Sequence, residues 1–118
     1  MPMGVFGSPE FLNTSHPLTS LPPLSGPASL ALGLSAASEP MLERLKLRGQ
    51  AAAISRTEGR ATELLQLHWH AGETLLVIGA VGAVTRLIAP LIQGKGKDPA
   101  VLVLDPGGRW VIPVLGGH

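Results

Sequence analysis

The stretch Thr74–Gln93, TLLVIGAVGAVTRLIAPLIQ, decides the fold. Its first part, Thr74 to Ala80, is apolar at successive positions and therefore on both faces of an extended chain, as a central strand of a parallel sheet must be. The small-residue turn Gly79-Ala80-Val81-Gly82-Ala83 then opens a helix from about Gly82 to Gln93. Val84, Leu87, Ile88 and Leu91 make its apolar face, and Pro90 should bend it, because the ring displaces the carbonyl four residues back. A strand followed by a helix with little between them is half of a βαβ unit.

Working outward, the same alternation repeats. Ser29 to Ser35 (SLALGLS) reads as a first strand. Ser38 offers a helix N-cap, Glu39 and Pro40 fit the first turn, Met41, Leu42 and Leu45 form an apolar face, and Gly49 stops the helix. Gln50 to Ser55 is a second short strand, and Glu58 to Ala71 a second helix with Ala61, Leu64, Leu65 and His68 on one face and Gly72 as its stop. After Gln93, the connection Gly94 to Pro99 leads to Ala100–Leu104 (AVLVL), the turn Asp105-Pro106-Gly107-Gly108, and Arg109–Leu115 (RWVIPVL). Two apolar runs around a Pro-Gly-Gly turn make an antiparallel hairpin. Pro113 cannot donate to a ladder, so the last strand should lie at an edge. The expected fold is α/β, a three-layer sandwich with a mainly parallel sheet and a C-terminal antiparallel hairpin, over residues 28–118.

Residues 1–27 read differently. Six prolines among Ser, Thr and Asn leave no lasting period, which predicts a disordered leader. Gly7-Ser8-Pro9-Glu10-Phe11 resembles the scar of an expression vector, and a natural terminus reads equally well. No basic start precedes an apolar run, so the leader is not a secretory signal.

Composition narrows the function classes. Apolar residues are 45% of the 118 and charged ones 14%, which suits a folded aliphatic core and not a disordered chain. A net charge of +1 and the scarcity of aromatics give neither a field nor a stacking platform for nucleic acid. Without cysteine there are no disulfides, thiolate metal sites or thiol nucleophiles, and a cytoplasmic location is expected. The greasiest run, Leu75 to Ile92, contains Arg86 and Pro90; one Arg near mid-span costs about 2.5–3.5 kcal/mol on insertion scales, so no membrane association is expected.

Several groups could carry chemistry. Gly79 to Ala83 lies where a parallel strand meets a helix, the place where open α/β sheets bind ligands; free amides there favour an anion. The same glycines also serve tight strand-to-helix packing. Arg86, early in that helix, can pair with a substrate carboxylate or with a protein acid. Gly94 to Asp98 is a basic loop closed by an acid, or a solvated turn. Asp105 to Gly108 reads as a turn alone. Gly116-Gly117-His118 follows a strand as a ligand-facing loop with an imidazole, or as a frayed end. His68-Trp69-His70 does not chelate on a helix, because residues two apart diverge, and a zinc site wants three or four ligands. No nucleophile elbow and no spaced acid pair is present.

Residues 74–118 also resemble a known family. The turn at Ile78 to Gly82, the Arg-hydrophobic-Ala-Pro helix at Arg86 to Pro90, the Lys-Asp-Pro-Ala loop and Val-rich strand at Lys97 to Val103, and Gly-Arg-aromatic-Val-Ile-Pro running to Gly-Gly-His at Gly108 to His118 are together similar to the amino-terminal domain of cobalt-precorrin-5A hydrolases. Residues 28–73 agree in element order only. The resemblance implies an enzyme of anaerobic cobalamin (vitamin B12) synthesis. Water adds to the δ-lactone carbonyl of cobalt-precorrin-5A, the two-carbon fragment bearing C20 leaves as acetaldehyde, and cobalt-precorrin-5B results. It further implies a corrinoid substrate that brings its own cobalt, so that no cofactor and no protein metal site is needed. Substrate carboxylates would fall to Gly79, Ala80, Gly82, Ala83, Arg86, Lys97, Gly116 and Gly117, with His118 or Asp98 positioning water or moving a proton.

Family members continue beyond Gly-Gly-His with a Gly-rich helix and a separate carboxyl-terminal domain, and in cyanobacteria are often fused to precorrin-3B C17-methyltransferase. The chain is therefore expected to be a fragment, inactive alone, whose partners are that domain or methyltransferase. The alternatives are a non-catalytic corrinoid-binding or docking module, and a domain that self-associates as a homodimer through apolar surface beside the hairpin. The site so inferred requires the small-residue bend and the final imidazole to meet on one rim of the sheet.

Overall fold

The computed structural model describes residues 27–57 and 59–116. The expected leader, apart from Pro27, lies outside the described residues, as do Glu58, Gly117 and His118. The elements in chain order are β1 (Leu30–Gly33), α1 (Glu39–Leu47), β2 (Ile54–Arg56), α2 (Ala61–Leu67), β3 (Thr74–Ile78), α3 (Val81–Ile88), β4 (Ala100–Leu104) and β5 (Val111–Leu115). They form one five-stranded sheet in the order β2-β1-β3-β4-β5. All pairings are parallel except β4 with β5. This is the expected α/β sandwich.

Strand order dictates the layers. The chain moves outward from β1 to β2, then returns past β1 to β3 and continues to β4. Parallel crossovers are right-handed, so reversing the direction of travel puts the connecting helices on opposite faces. The core divides accordingly. Leu30, Leu32, Leu75, Val77, Val101 and Val103 pack against Leu65, Trp69, Val84 and Ile88 of the α2–α3 layer. Ala31, Leu76, Ile78, Leu102 and Leu104 pack with Met41, Leu42 and Leu45 of α1. The continuous apolar run along β3 that made it look central thus feeds both layers.

Local departures from expectation have local causes. Ser38 stands before α1, yet its hydroxyl does not cap the helix; Oγ donates to the Ser35 carbonyl at 2.6 Å, closing a 3-10 turn over Ala36–Ser38. Helix α2 ends at Leu67, short of the expected Ala71, because Trp69 leaves the helix to enter the core. Helix α3 does not bend at Pro90; it ends at Ile88 and passes into a 3-10 turn over Ala89–Leu91, since Pro90 has no N–H for the α-helical bond. Strand β2 occupies Ile54–Arg56, with Ala51 touching Ala28 only as an isolated bridge.

The edge position of β5 and its proline agree in detail. The Asp105 amide donates to the Trp110 carbonyl at 3.0 Å, so in the register Val103↔Ile112 and Leu102↔Pro113 the hydrogen-bonded pair is at Ile112. The ring nitrogen of Pro113 then faces away from β4. No inner bond is lost, and the outer edge lacks a donor at its centre, which discourages another strand from pairing there.

Gly33 is the tightest point between β1 and α1. A Cβ there would lie 2.0 Å from Ser38 Oγ, 2.8 Å from Ser38 Cβ and 2.9 Å from Leu42 Cδ1. The Gly33→Ala variant is expected to lose about 1–3 kcal/mol to overpacking. Urea unfolding should show it as a lower midpoint at unchanged slope; an unchanged midpoint would mean that α1 can retreat from the sheet without cost.

Candidate functional site

The first candidate lies at the carboxyl ends of the parallel strands. Strands β1 and β3 are neighbours, with Gly33 opposite Ile78. The chain leaving β1 turns to the α1 face and the chain leaving β3 turns to the α3 face, so a crevice opens between them. This is the topological switch point at which open α/β sheets bind ligands. One wall is Leu34 to Ala37, of which Ser35, Ala36 and Ala37 are exposed. The other is Gly79 and Ala80 with the start of α3. The Leu34 amide donates to the Ile78 carbonyl at 3.2 Å, and a Cβ on Gly79 would come within 2.9 Å of Leu34 Cδ1. Gly79 is therefore small so that the two walls can meet, which bears out packing as one of its roles.

Ala80 precedes α3 without a side-chain cap, and the Val84 amide donates to the Ala80 carbonyl at 3.0 Å. The amides of Val81, Gly82 and Ala83 have no partner within the helix. Arg86 is exposed and its Nε donates to the Gly82 carbonyl at 3.3 Å, which folds the guanidinium back toward the helix start. Among the described residues it forms no ion pair. Gly79, Ala80, Gly82, Ala83 and Arg86 are thus brought together on one rim. The wall from Leu34 to Ala37 was not foreseen; the signal was its position directly after the first strand, which acquires meaning only once β1 is known to lie beside β3.

The other candidates lie at the opposite end. Strand β5 runs antiparallel to β4, with Leu115 opposite Val101, so the chain returns to where β4 began. A Cβ on Gly116 would lie 3.3 Å from Ala100 Cα and from the Pro99 carbonyl oxygen. Lys97 and Asp98 sit in the loop just before β4. Five-residue strands separate the two ends by about 16 Å. The expectation that the small-residue bend and Gly116 share a rim is therefore corrected: a hairpin inverts direction, so β5 ends beside the start of β4. Gly117 and His118 lie outside the described residues; Gly116, which precedes them, is at the amino edge.

Asp98 has a structural occupation there. Its carboxylate accepts the Gln93 amide at 2.8 Å, the Gly94 amide at 3.0 Å and the Trp69 indole Nε1–H at 3.0 Å. The Gln93 amide, helped by Gly94, Trp69 and the charge of Lys97 and opposed by desolvation, holds the carboxyl below its ordinary range. An acid kept ionised by three donors is a loop anchor and a poor proton carrier near neutral pH. A cavity of about 540 Å³ lies beside it, between Glu73, Ile92, Lys95, Leu115 and Gly116.

His70 is exposed and Trp69 is buried, and the segment lies just beyond the helix, not on it. Among the described residues no three His, Asp or Glu side chains cluster so as to hold a metal ion. None of the described helices is long and apolar enough to cross a membrane.

With this geometry in place, the comparisons are specific. The family described as cobalamin synthesis G N-terminal matches residues 63–118, from within α2 through β5. That match takes in just under half of the chain. The match begins before Thr74, so most of α2 and the Trp69 loop fall within the matched segment as well. A cobalt-precorrin-5A hydrolase of Priestia megaterium is 42% identical over 65 residues, 55% of this chain and 17% of that protein. The cobalt-precorrin-5A hydrolase of Salmonella typhimurium is 50% identical over 44 residues, 37% of this chain and 12% of that protein. The chain thus spans less than a fifth of either relative. The crystal structure of a cobalamin biosynthesis protein G homolog from Sulfolobus solfataricus superposes with a TM-score of 0.59 at 23% identity, covering 77% of this chain and 30% of that one. That likeness establishes the fold. The matched segment contains β3, the small-residue turn and α3 entire, and so includes one whole wall of the crevice.

Proposed function

We propose that this chain supplies the amino-terminal part of a cobalt-precorrin-5A hydrolase, with the carboxyl-edge rim as a binding surface for the carboxylates of the corrinoid. The observation that carries the proposal is that the family match spans this rim's β3–α3 wall, where helix amides without a side-chain cap and Arg86, which forms no ion pair among the described residues, present donors to an anion. In the reaction, water adds to the lactone carbonyl and the fragment bearing C20 leaves as acetaldehyde. Cobalt comes with the substrate, so the chain needs no cofactor of its own, and the setting is the cytoplasm. Gly79 to Ala83 and Arg86 orient the substrate. Lys97 and Gly116, at the amino edge, are better placed to meet the rest of the hydrolase, or a fused methyltransferase, than to share a ligand with the rim. Asp98, already saturated with donors, is withdrawn as a proton carrier.

The test is spectroscopic. Cobalt-precorrin-5A titrated with the 118-residue chain should change its visible absorption on binding and release no acetaldehyde. Acetaldehyde from the chain alone would overturn the division of the site between two parts. Absence of any binding would overturn the rim as a substrate surface and leave the docking reading, in which the chain acts through a protein partner.

A further inference from the structure

The turn after β4 holds more than a change of direction. Ser38 and Asp105 are the buried polar residues among the described ones, and Asp105 is the charged one, at 5% exposure. It lies at the carboxyl end of β4, one strand from the crevice, where the Gly79 amide donates to the Leu104 carbonyl at 3.1 Å. Its carboxylate accepts Arg109 Nε at 2.9 Å, Arg109 Nη2 at 3.2 Å and the Arg109 amide at 3.2 Å. The Arg109 side chain is nevertheless 77% exposed.

A turn does not require this arrangement. The Gly108 amide already closes it onto the Asp105 carbonyl at 2.9 Å. An ion pair whose cation is in water contributes little to stability, while burying the carboxylate has a cost. What the pair does accomplish is orientation. The side edge of the guanidinium is fixed by Asp105, and the end edge, Nη1 with the second hydrogen of Nη2, is left facing outward. That edge is a planar fork matched to one carboxylate. Gly107 leaves room for the pair itself, since a Cβ there would stand 3.1 Å from Asp105 Oδ2 and 3.8 Å from Arg109 Nε.

We infer that Arg109, held in place by Asp105, is a second carboxylate-binding residue of the same rim, with Asp105 as its positioning residue. The inference rests on the rim reading above and extends it along the sheet to the β4–β5 turn. The ligand class is a polycarboxylate large enough to reach from the crevice to this turn.

The test uses the full chain and uroporphyrin, an octacarboxylic tetrapyrrole, followed by absorbance at low salt. Arg109→Ala should weaken binding about tenfold or more, the factor for one charge-assisted fork. Arg109→Lys, which keeps the charge and loses the fork, should recover only part. Asp105→Asn should fall between, because the guanidinium remains but is no longer held. Binding equal to wild type in both Arg109 variants would overturn the inference. If Arg86→Ala weakens binding and the Arg109 variants do not, the rim stands and this extension fails; if the wild-type chain does not bind uroporphyrin, both fail. Should Arg109→Ala not fold, Arg109→Lys and Asp105→Asn decide the matter.

Discussion

Replacing Trp69 with Ala is expected to remove about 3–5 kcal/mol of stability, the loss found when a large aromatic is deleted from a core. Trp69 is 5% exposed and packs with Leu65, Ile88 and Leu91 between α2, α3 and the sheet. Its indole also ties the helical layer to the loop before β4, through Asp98. Truncation removes the packing and one of the donors that keep that carboxylate ionised. Small domains hold only about 5–15 kcal/mol in total, so the variant should be partly unfolded at physiological temperature. Trp69→Phe separates the two contributions: it keeps most of the body, loses the donor, and should lose about 1 kcal/mol or somewhat more. Trp110 remains to report unfolding by fluorescence in both. A Trp69→Ala chain within 1 kcal/mol of wild type in urea would show that the α2–β3 connection is not anchored through this side chain.

Leu76→Ala should lose about 2–5 kcal/mol, while Leu67→Ala should change stability by less than about 0.5 kcal/mol. The residues are chemically identical. Leu76 is fully buried in the middle of β3, enclosed by the α1 layer, and its deletion leaves a cavity in the central strand. Leu67 ends α2 with 70% of its surface exposed, so truncation there costs the protein almost no burial. Thermal or urea unfolding of the two variants side by side checks the contrast. Equal losses would contradict the burial of one and the exposure of the other, and with it the placement of α2.

The legible parts of the fold were those written in short-range patterns. The continuous apolar run of β3, the Pro-Gly-Gly turn between β4 and β5, and the edge position implied by Pro113 were all readable, because each depends on residues within a few positions of one another. Helix ends were read less well. Ser38 looks like a cap but bonds backward to Ser35, and α2 gives up its last turn so that Trp69 can reach the core. In both cases a tertiary contact outweighed a local preference. The candidate site was half legible. Gly79, Ala80, Gly82, Ala83 and Arg86 do gather on one rim; Gly116 lies at the other end of the sheet, although the hairpin itself already implied that.

By itself, the chain's order of residues determined the succession of strands and helices, the parallel character of the sheet and the similarity of residues 63–118 to the cobalamin synthesis G amino-terminal family, since periodicity, turn chemistry and motif are all local properties. Tertiary structure alone decided that β1 lies between β2 and β3, which creates the crevice and its second wall at Leu34 to Ala37. It alone decided that Asp98 anchors an indole 29 residues away and that Asp105 is buried beneath Arg109. The reason is that strand order, burial and long-range hydrogen bonds depend on which distant segments the folded core brings into contact, and no window of neighbouring residues contains that information.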